Sequence, residues 1–202
     1  MVIDMKKLRE LMGSYASVVL QGNLDTEIGH IAYDSRKAQS GSLFVCIKGF
    51  HCDGHDFIHQ ALATGSSALL VEREVSGIPP QVTVVRVSDA RSALAHVAAR
   101  FYGHSEKSFI LIGITGTKGK TSVAGLIWQV LDHAGVKAGM IGSNGAILGG
   151  KALPLASTTK TTPESPENHQ TFHEMRKAGA ECVIMEVSSH ALELCRVEHC
   201  HF

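Results

Sequence analysis

The sequence predicts an α/β fold in two parts. A small α/β N-terminal domain over residues 1–106 precedes a phosphate-loop parallel α/β domain, whose first part is residues 107–202. Three observations carry that expectation. Short strand-like runs alternate with amphipathic helical stretches along most of the chain, the pattern of a parallel sheet covered by helices. A glycine-punctuated turn stands between the apolar run Phe109–Ile112 and a helix-like stretch. The polar, charged interval His104-Ser105-Glu106-Lys107-Ser108 separates that turn from everything before it and reads as a boundary near residue 106.

In chain order, Met5–Met12 reads as a short amphipathic helix, followed by strands at Ser17–Leu20, His30–Tyr33 and Leu43–Lys48. Asp53-Gly54 opens a helical pattern in which Phe57, Ile58, Ala61 and Leu62 share one face, and Gly65 closes it before the strand Ala68–Val71. Pro79-Pro80 breaks the chain ahead of a strand at Val82–Val87. Asp89 is placed to cap a helix carrying Leu94, Val97, Ala98 and Phe101 on its buried side, stopped by Gly103. Beyond the boundary, a helix runs through Val123, Leu126, Ile127, Val130 and Leu131 to Gly135, then a strand through Lys137–Ile141. A glycine-rich loop and the threonine-rich stretch Ser157–Thr162 lead to a helix over Glu164–Ala178 and the strand Cys182–Val187.

The 202 residues are 44% apolar, enough for buried cores, and 19 basic residues balance 19 acidic ones. No global field draws the chain to nucleic acid or to a membrane surface, so any polyanion site is local. Charges within Met1–Glu10 interrupt the apolar stretch a signal peptide needs, and a cytoplasmic location is expected. Five cysteines without a C-x-x-C pair fit reduced thiols. His51, His55 and His59 recur every four residues, but Gly54 sets His51 outside the helix. Cys195, His199, Cys200 and His201 lack the paired spacing of a zinc site.

The turn itself reads Thr115-Gly116-Thr117-Lys118-Gly119-Lys120-Thr121-Ser122. It is a tighter form of G-x-x-x-x-G-K-[ST], which would need glycine where Ile114 stands. Gly116 and Gly119 let the backbone aim its N–H groups at an anion, and the following helix adds the positive end of its dipole. Residues 116–122 are therefore the expected ATP contacts, with Lys120 reaching the terminal phosphates and Thr121 completing the shell of Mg²⁺. Glu186, at the carboxyl end of the last strand, is the expected second metal ligand, and Lys120 and Glu186 are the expected catalytic pair.

Several segments together resemble the Mur ligases. They are Asp34-Ser35-Arg36, Ser40–Val45, Gly49-Phe50-His51-Cys52-Asp53-Gly54, the phosphate loop, Thr161-Thr162-Pro163-Glu164, Met185–Leu192 and Arg196-Val197. The resemblance is strongest to the members that add the third residue of the peptidoglycan stem peptide. It implies an ATP-dependent ligase: a muramoyl dipeptide carboxylate is phosphorylated to an acyl phosphate, then attacked by the amine of an amino acid, diaminopimelate or lysine. It also implies a UDP-binding N-terminal domain, with Ser35, Phe50, His51 and Cys52 on the UDP end of the substrate. Thr161, Thr162, Ser188 and Arg196 then fall on the muramoyl dipeptide. Lys118, Lys160 and Leu194 depart from residues common in the family. The family's longer central domain and third domain imply that residues 1–202 are an N-terminal portion, inactive alone. Two other readings are a ligase of the folate-polyglutamate type, which should lack the uridine-binding segments, and a non-catalytic module that binds a UDP-sugar or nucleotide.

Overall fold

In the computed structural model, which describes residues 4–50, 52–153 and 161–202, alternating strands and helices form two units, Met1–Val97 and Ala98–Phe202. The first contains β1 (Lys6–Lys7), α1 (Leu8–Met12), β2 (Ser17–Gln21), β3 (Glu27–Ile28), β4 (His30–Ala32), β5 (Ser42–Val45), α2 (Ile58–Ala63), β6 (Ala68–Val71), β7 (Thr83–Val87) and most of α3 (Ala90–Phe101). The helix expected from Met5 starts at Leu8, because Lys6 and Lys7 pair with β3 instead.

The main sheet of this unit has the order β2-β7-β6-β5-β4. Its neighbours are parallel except β2, which runs antiparallel to β7. Every residue of β5 and β6 is buried, as the apolar runs Leu43–Val45 and Ala68–Val71 require of strands covered on both faces. Phe44, Leu69 and Val71 pack with Ile58 and Ala61 of α2. Asp89 caps α3 as expected, its Oδ1 accepting from the backbone N–H of Arg91 at 2.8 Å and of Ser92 at 3.0 Å.

Between β5 and α2 the chain folds into a tight loop, in which Gly49 N–H donates to Cys52 O and Gly54 N–H to Ile47 O, both at 2.9 Å. Only glycine fits at 54, since a Cβ there would lie 2.8 Å from Ile47 N. The helix expected from Asp53 begins as a 3-10 turn, Gly54–Phe57, before α2. Asp53 caps that turn, accepting from His55 N–H at 2.9 Å and from Arg73 Nη1 at 2.8 Å. Because His55 Nε2 accepts from Glu72 N–H at 3.1 Å, Nδ1 carries the ring proton and donates to Asp53 at 2.6 Å. Burial pushes the Asp53 carboxyl up, but the His55 donors and Arg73 overcome it and hold its pKa at about 2, below the ordinary 3.8. A depressed folded pKa makes the contribution complete above the unfolded value and lost as pH falls through about 2. Thermal unfolding followed by circular dichroism should find Asp53→Asn destabilised by about 1–2 kcal/mol at neutral pH, the difference closing toward pH 2.

The second unit contains β8 (Ile110–Ile114), α4 (Lys120–His133), β9 (Ala138–Gly142), β10 (Gly145–Leu148), β11 (Lys151–Leu153), α5 (Ser165–Lys177), β12 (Cys182–Glu186) and α6 (Ser189–Glu193). Its sheet runs β11-β10-β9-β12-β8, parallel across β9, β12 and β8. The sheet is mixed, where the sequence reading expected a parallel one, because the glycine-rich stretch after β9 is a hairpin. Leu148 pairs with Lys151 across Gly149 and Gly150, whose φ values of 53° and 74° suit a two-residue turn of the I′ kind.

Alternation along β12 sends its side chains to two cores. Val183 and Met185 pack with Phe172 and Met175 of α5, while Cys182 and Ile184 pack with Ala124, Ile127, Trp128 and Leu131 of α4. Helix α4 carries a second apolar stripe that helical periodicity cannot separate from the first. Val123, Leu126 and Val130, read with Ile127 and Leu131 as one apolar pattern, are exposed. The charged interval before β8 also differs from a solvated linker. Ser105 and Glu106 are buried, and Glu106 pairs with His104 at 3.2 Å and His169 of α5 at 3.4 Å. Among the described residues no helix is long and apolar enough to cross a membrane.

Candidate functional site

Parallel pairing of β8 with β12 sets Ile114 opposite Glu186, so the glycine turn and the carboxylate leave the sheet at the same edge. The turn is exposed from Thr115 to Gly119, and α4 begins at Lys120. Gly119 is left-handed at φ 81°, the conformation that turns the backbone into the helix. Lys120 Nζ donates to Gly116 O at 2.7 Å, closing the turn on itself.

Glu186 is 1% exposed and sits in a nest of donors. Its Oε2 accepts from Thr121 Oγ1 at 2.9 Å and from Ser143 Oγ at 3.4 Å, and its Oε1 accepts from Ser143 N–H at 3.1 Å. These donors offset the cost of burying a carboxylate beside the turn. A Cβ at residue 142 would collide with that carboxylate, so β9 must end in glycine. Sequence reading missed Gly142 and Ser143. The signal available was Gly142-Ser143 at the carboxyl end of a parallel strand, where sites of open sheets form.

The predicted dipeptide contacts gather around the same edge. Thr162 Oγ1 donates to Glu186 O at 2.9 Å and accepts from Ser188 N–H at 3.0 Å. Thr161 Oγ1 lies 3.3 Å from Ser143 Oγ, within reach of donating to it. Ser188 caps α6, accepting from Ala191 N–H at 3.2 Å. Arg196 Nε lies 2.8 Å from Glu164 Oε1, an ion pair rather than an aligned hydrogen bond, and Nη1 donates to Thr162 O at 3.2 Å. Asn168 Nδ2 holds the carbonyls of Pro163 and Arg196, each at 3.0 Å. Glu164 was legible only as part of a motif; its pairing with Arg196 was not.

In the first unit, Ser35 and Cys52 line a cleft of about 480 Å³ together with Arg36, Phe44, Phe57 and Gln60. Phe50 is 77% exposed and lies off the cleft wall, and His51 falls outside the described residues, as does Lys160. Arg36 is held by Asp34 through two hydrogen bonds of 2.9 and 2.7 Å, which keep the Asp34 carboxyl below its usual range. Both ring nitrogens of His55 are engaged, and among the described residues no group of three or more His, Cys, Asp or Glu could hold a metal. Cys46, Cys52, Cys182 and Cys200 are free thiols. Burial pushes the thiols of Cys46 and Cys200 up to about 12, which leaves them protonated.

Two family descriptions match the chain, Mur ligase family, catalytic domain, over residues 27–102 and Mur ligase middle domain over residues 114–202. A UDP-N-acetylmuramoyl-L-alanyl-D-glutamate–2,6-diaminopimelate ligase of Clostridium perfringens is 41% identical over 190 residues, 94% of this chain and 38% of that protein. One of Geobacillus kaustophilus is 45% identical over 181 residues, 90% of this chain and 35% of that protein. The chain thus spans under two fifths of the length of these two relatives. A solved structure of a ligase of the same name superposes with a TM-score of 0.78 at 23% identity, covering 98% of this chain and 39% of that one. With glycine turn, buried glutamate and both matched segments in place, the chain belongs to the Mur ligase family.

Proposed function

We propose that this chain supplies the UDP-substrate domain and the first part of the ATP-binding domain of a ligase that joins diaminopimelate to a UDP-muramoyl dipeptide. The functional boundary is placed near residue 106, which lies between the two family matches. The observation that carries the reading is the convergence of Lys120, Thr121 and Glu186 at one sheet edge, with Thr121 bonded to Glu186. The N-terminal family match and the names of the relatives favour this over a folate-type ligase.

The residues fit Mg²⁺. Thr121 Oγ1 and Glu186 Oε2 stand 2.9 Å apart, close to the separation of adjacent oxygens in an octahedron of ~2.0–2.1 Å bonds. Thr121 and Glu186 would hold the ion, which when bound neutralises charge on the ATP phosphates. Backbone N–H groups of residues 116–122 would cradle those phosphates, and Lys120 would leave Gly116 O to follow the charge on the transferred group. Thr161, Thr162, Ser188 and Arg196 would orient the substrate carboxylate to take the γ-phosphoryl group of ATP, releasing ADP, and the amine would then attack the acyl carbon, displacing inorganic phosphate and losing a proton. On this reading the whole protein would work in the cytoplasm on small-molecule substrates, without nucleic acid.

Titration of the chain with MgATP and separately with UDP tests this. Lys120→Ala should weaken MgATP binding at least about tenfold, leaving UDP binding unchanged. Unchanged ATP affinity would remove the loop assignment.

A further inference from the structure

We propose that Glu106, His104, His169 and His199 form an acid-operated latch on the segment that carries Arg196. Glu106 lies in the 3-10 turn Ser105–Ser108, and its buried side chain meets His104 Nδ1 at 3.2 Å and His169 Nδ1 of α5 at 3.4 Å. His199, in the stretch after α6, joins them: Glu106, His104 and His169 all act on its charge, as does Glu198 beside it in sequence. Three chain segments thus meet around one carboxylate. The turn leads into β8 and the glycine loop, α5 starts beside Glu164, and His199 follows Arg196 by three residues.

The backbone at the latch is strained. His104 and His199 are left-handed at φ 50° and 65°, a conformation that residues other than glycine keep where their surroundings impose it. Burial pushes the His199 imidazole below the ordinary 6.5; Glu198 and Glu106 pull it up, His169 and His104 push it further down, and the net shift is downward. The docked ring is therefore uncharged at neutral pH. A depressed folded value makes its contribution complete above the ordinary 6.5 and lost as pH falls through the folded value. Glu106 stays ionised over that range. Burial raises its carboxyl, but His169, a backbone N–H and His104 outweigh this and hold it below the usual range. Acid therefore expels His199 while the Glu106–His169 pair remains, and the strained backbone relaxes as residues 198–200 lift away. Arg196 keeps its N–H on Ala191 O at 2.9 Å but loses the fixed segment behind it. A weakened grip on the dipeptide in acid rests on the role proposed for Arg196; the latch itself stands without that reading.

The experiment follows the histidine ring signals and amide hydrogen exchange of the 202-residue chain by NMR as a function of pH, with His199→Asn alongside. Asparagine tolerates the left-handed backbone and takes up no proton. A His199 midpoint below that of a free histidine is expected. The Glu198 and Cys200 amides donate to Cys195 O and Val197 O. After correction for intrinsic rates, their exchange should rise at least about threefold from about pH 7.5 to about pH 5.5 while β12 stays protected, and the rise should vanish in His199→Asn. A His199 midpoint at or above that of a free histidine would overturn the latch whatever the variant does. So would an acid rise that His199→Asn retains, or one in which β12 opens together with these amides, which is unfolding of the whole unit.

Discussion

Gly142→Ala should abolish the magnesium dependence of nucleotide binding and destabilise the second unit by about 2–4 kcal/mol. The added methyl would occupy the space of the Glu186 carboxylate, at the buried end of β9 where neither strand nor side chain has room. If the carboxylate swings away it loses the Ser143 N–H at 3.1 Å and the Thr121 hydroxyl at 2.9 Å, and a buried charge stripped of two donors costs about 1–3 kcal/mol for each. If the strand end moves instead, Ser143 moves with it and the same nest opens. Glu186→Gln separates the two consequences. It keeps the shape of the side chain, so it should leave the unit folded and still remove the metal dependence. Titrating ATP with and without Mg²⁺ checks both variants; a Gly142→Ala protein that binds MgATP like the parent would show that Glu186 does not need its present position.

Much of this site was legible because its chemistry is local in sequence. Gly116, Gly119, Lys120 and Thr121 follow one another, and their spacing alone states what they hold. Glu186 was legible for a different reason, since a carboxylate closing an apolar strand stands where a parallel sheet places ligands. What escaped was tertiary. Nothing near Gly142 says that a carboxylate 44 residues later will fill the place of its missing side chain. Glu106, within a run that looks solvated, is buried because His169, far along the chain, comes to meet it. The exposed stripe of α4 has the same origin. Periodicity reports that a residue is apolar at helical spacing, but which stripe meets the sheet depends on how the helix leaves the glycine turn.

Glu164→Ala should destabilise the second unit by about 3–5 kcal/mol, the cost of leaving a buried charge without its partner. The Arg196 side chain is 15% exposed and that of Glu164 9%, and their contact at 2.8 Å joins the start of α5 to the segment after α6. With Glu164 gone, the guanidinium keeps the Thr162 carbonyl at 3.2 Å but loses its counter-charge. Removing both charges, in Glu164→Ala with Arg196→Met, should recover much of the loss, since a buried ion pair contributes far less than either half costs when stranded. Trp128, the single tryptophan, lies in α4 with its indole N–H donating to Ala138 O at 3.1 Å, so urea unfolding followed by its fluorescence reports on this unit alone. The double variant separates stability from function. It should fold, yet bind the muramoyl dipeptide substrate poorly in the whole ligase, because Arg196 is the guanidinium proposed to meet that acidic molecule. A double variant as unstable as Glu164→Ala would mean that packing, rather than charge, is what Glu164 contributes.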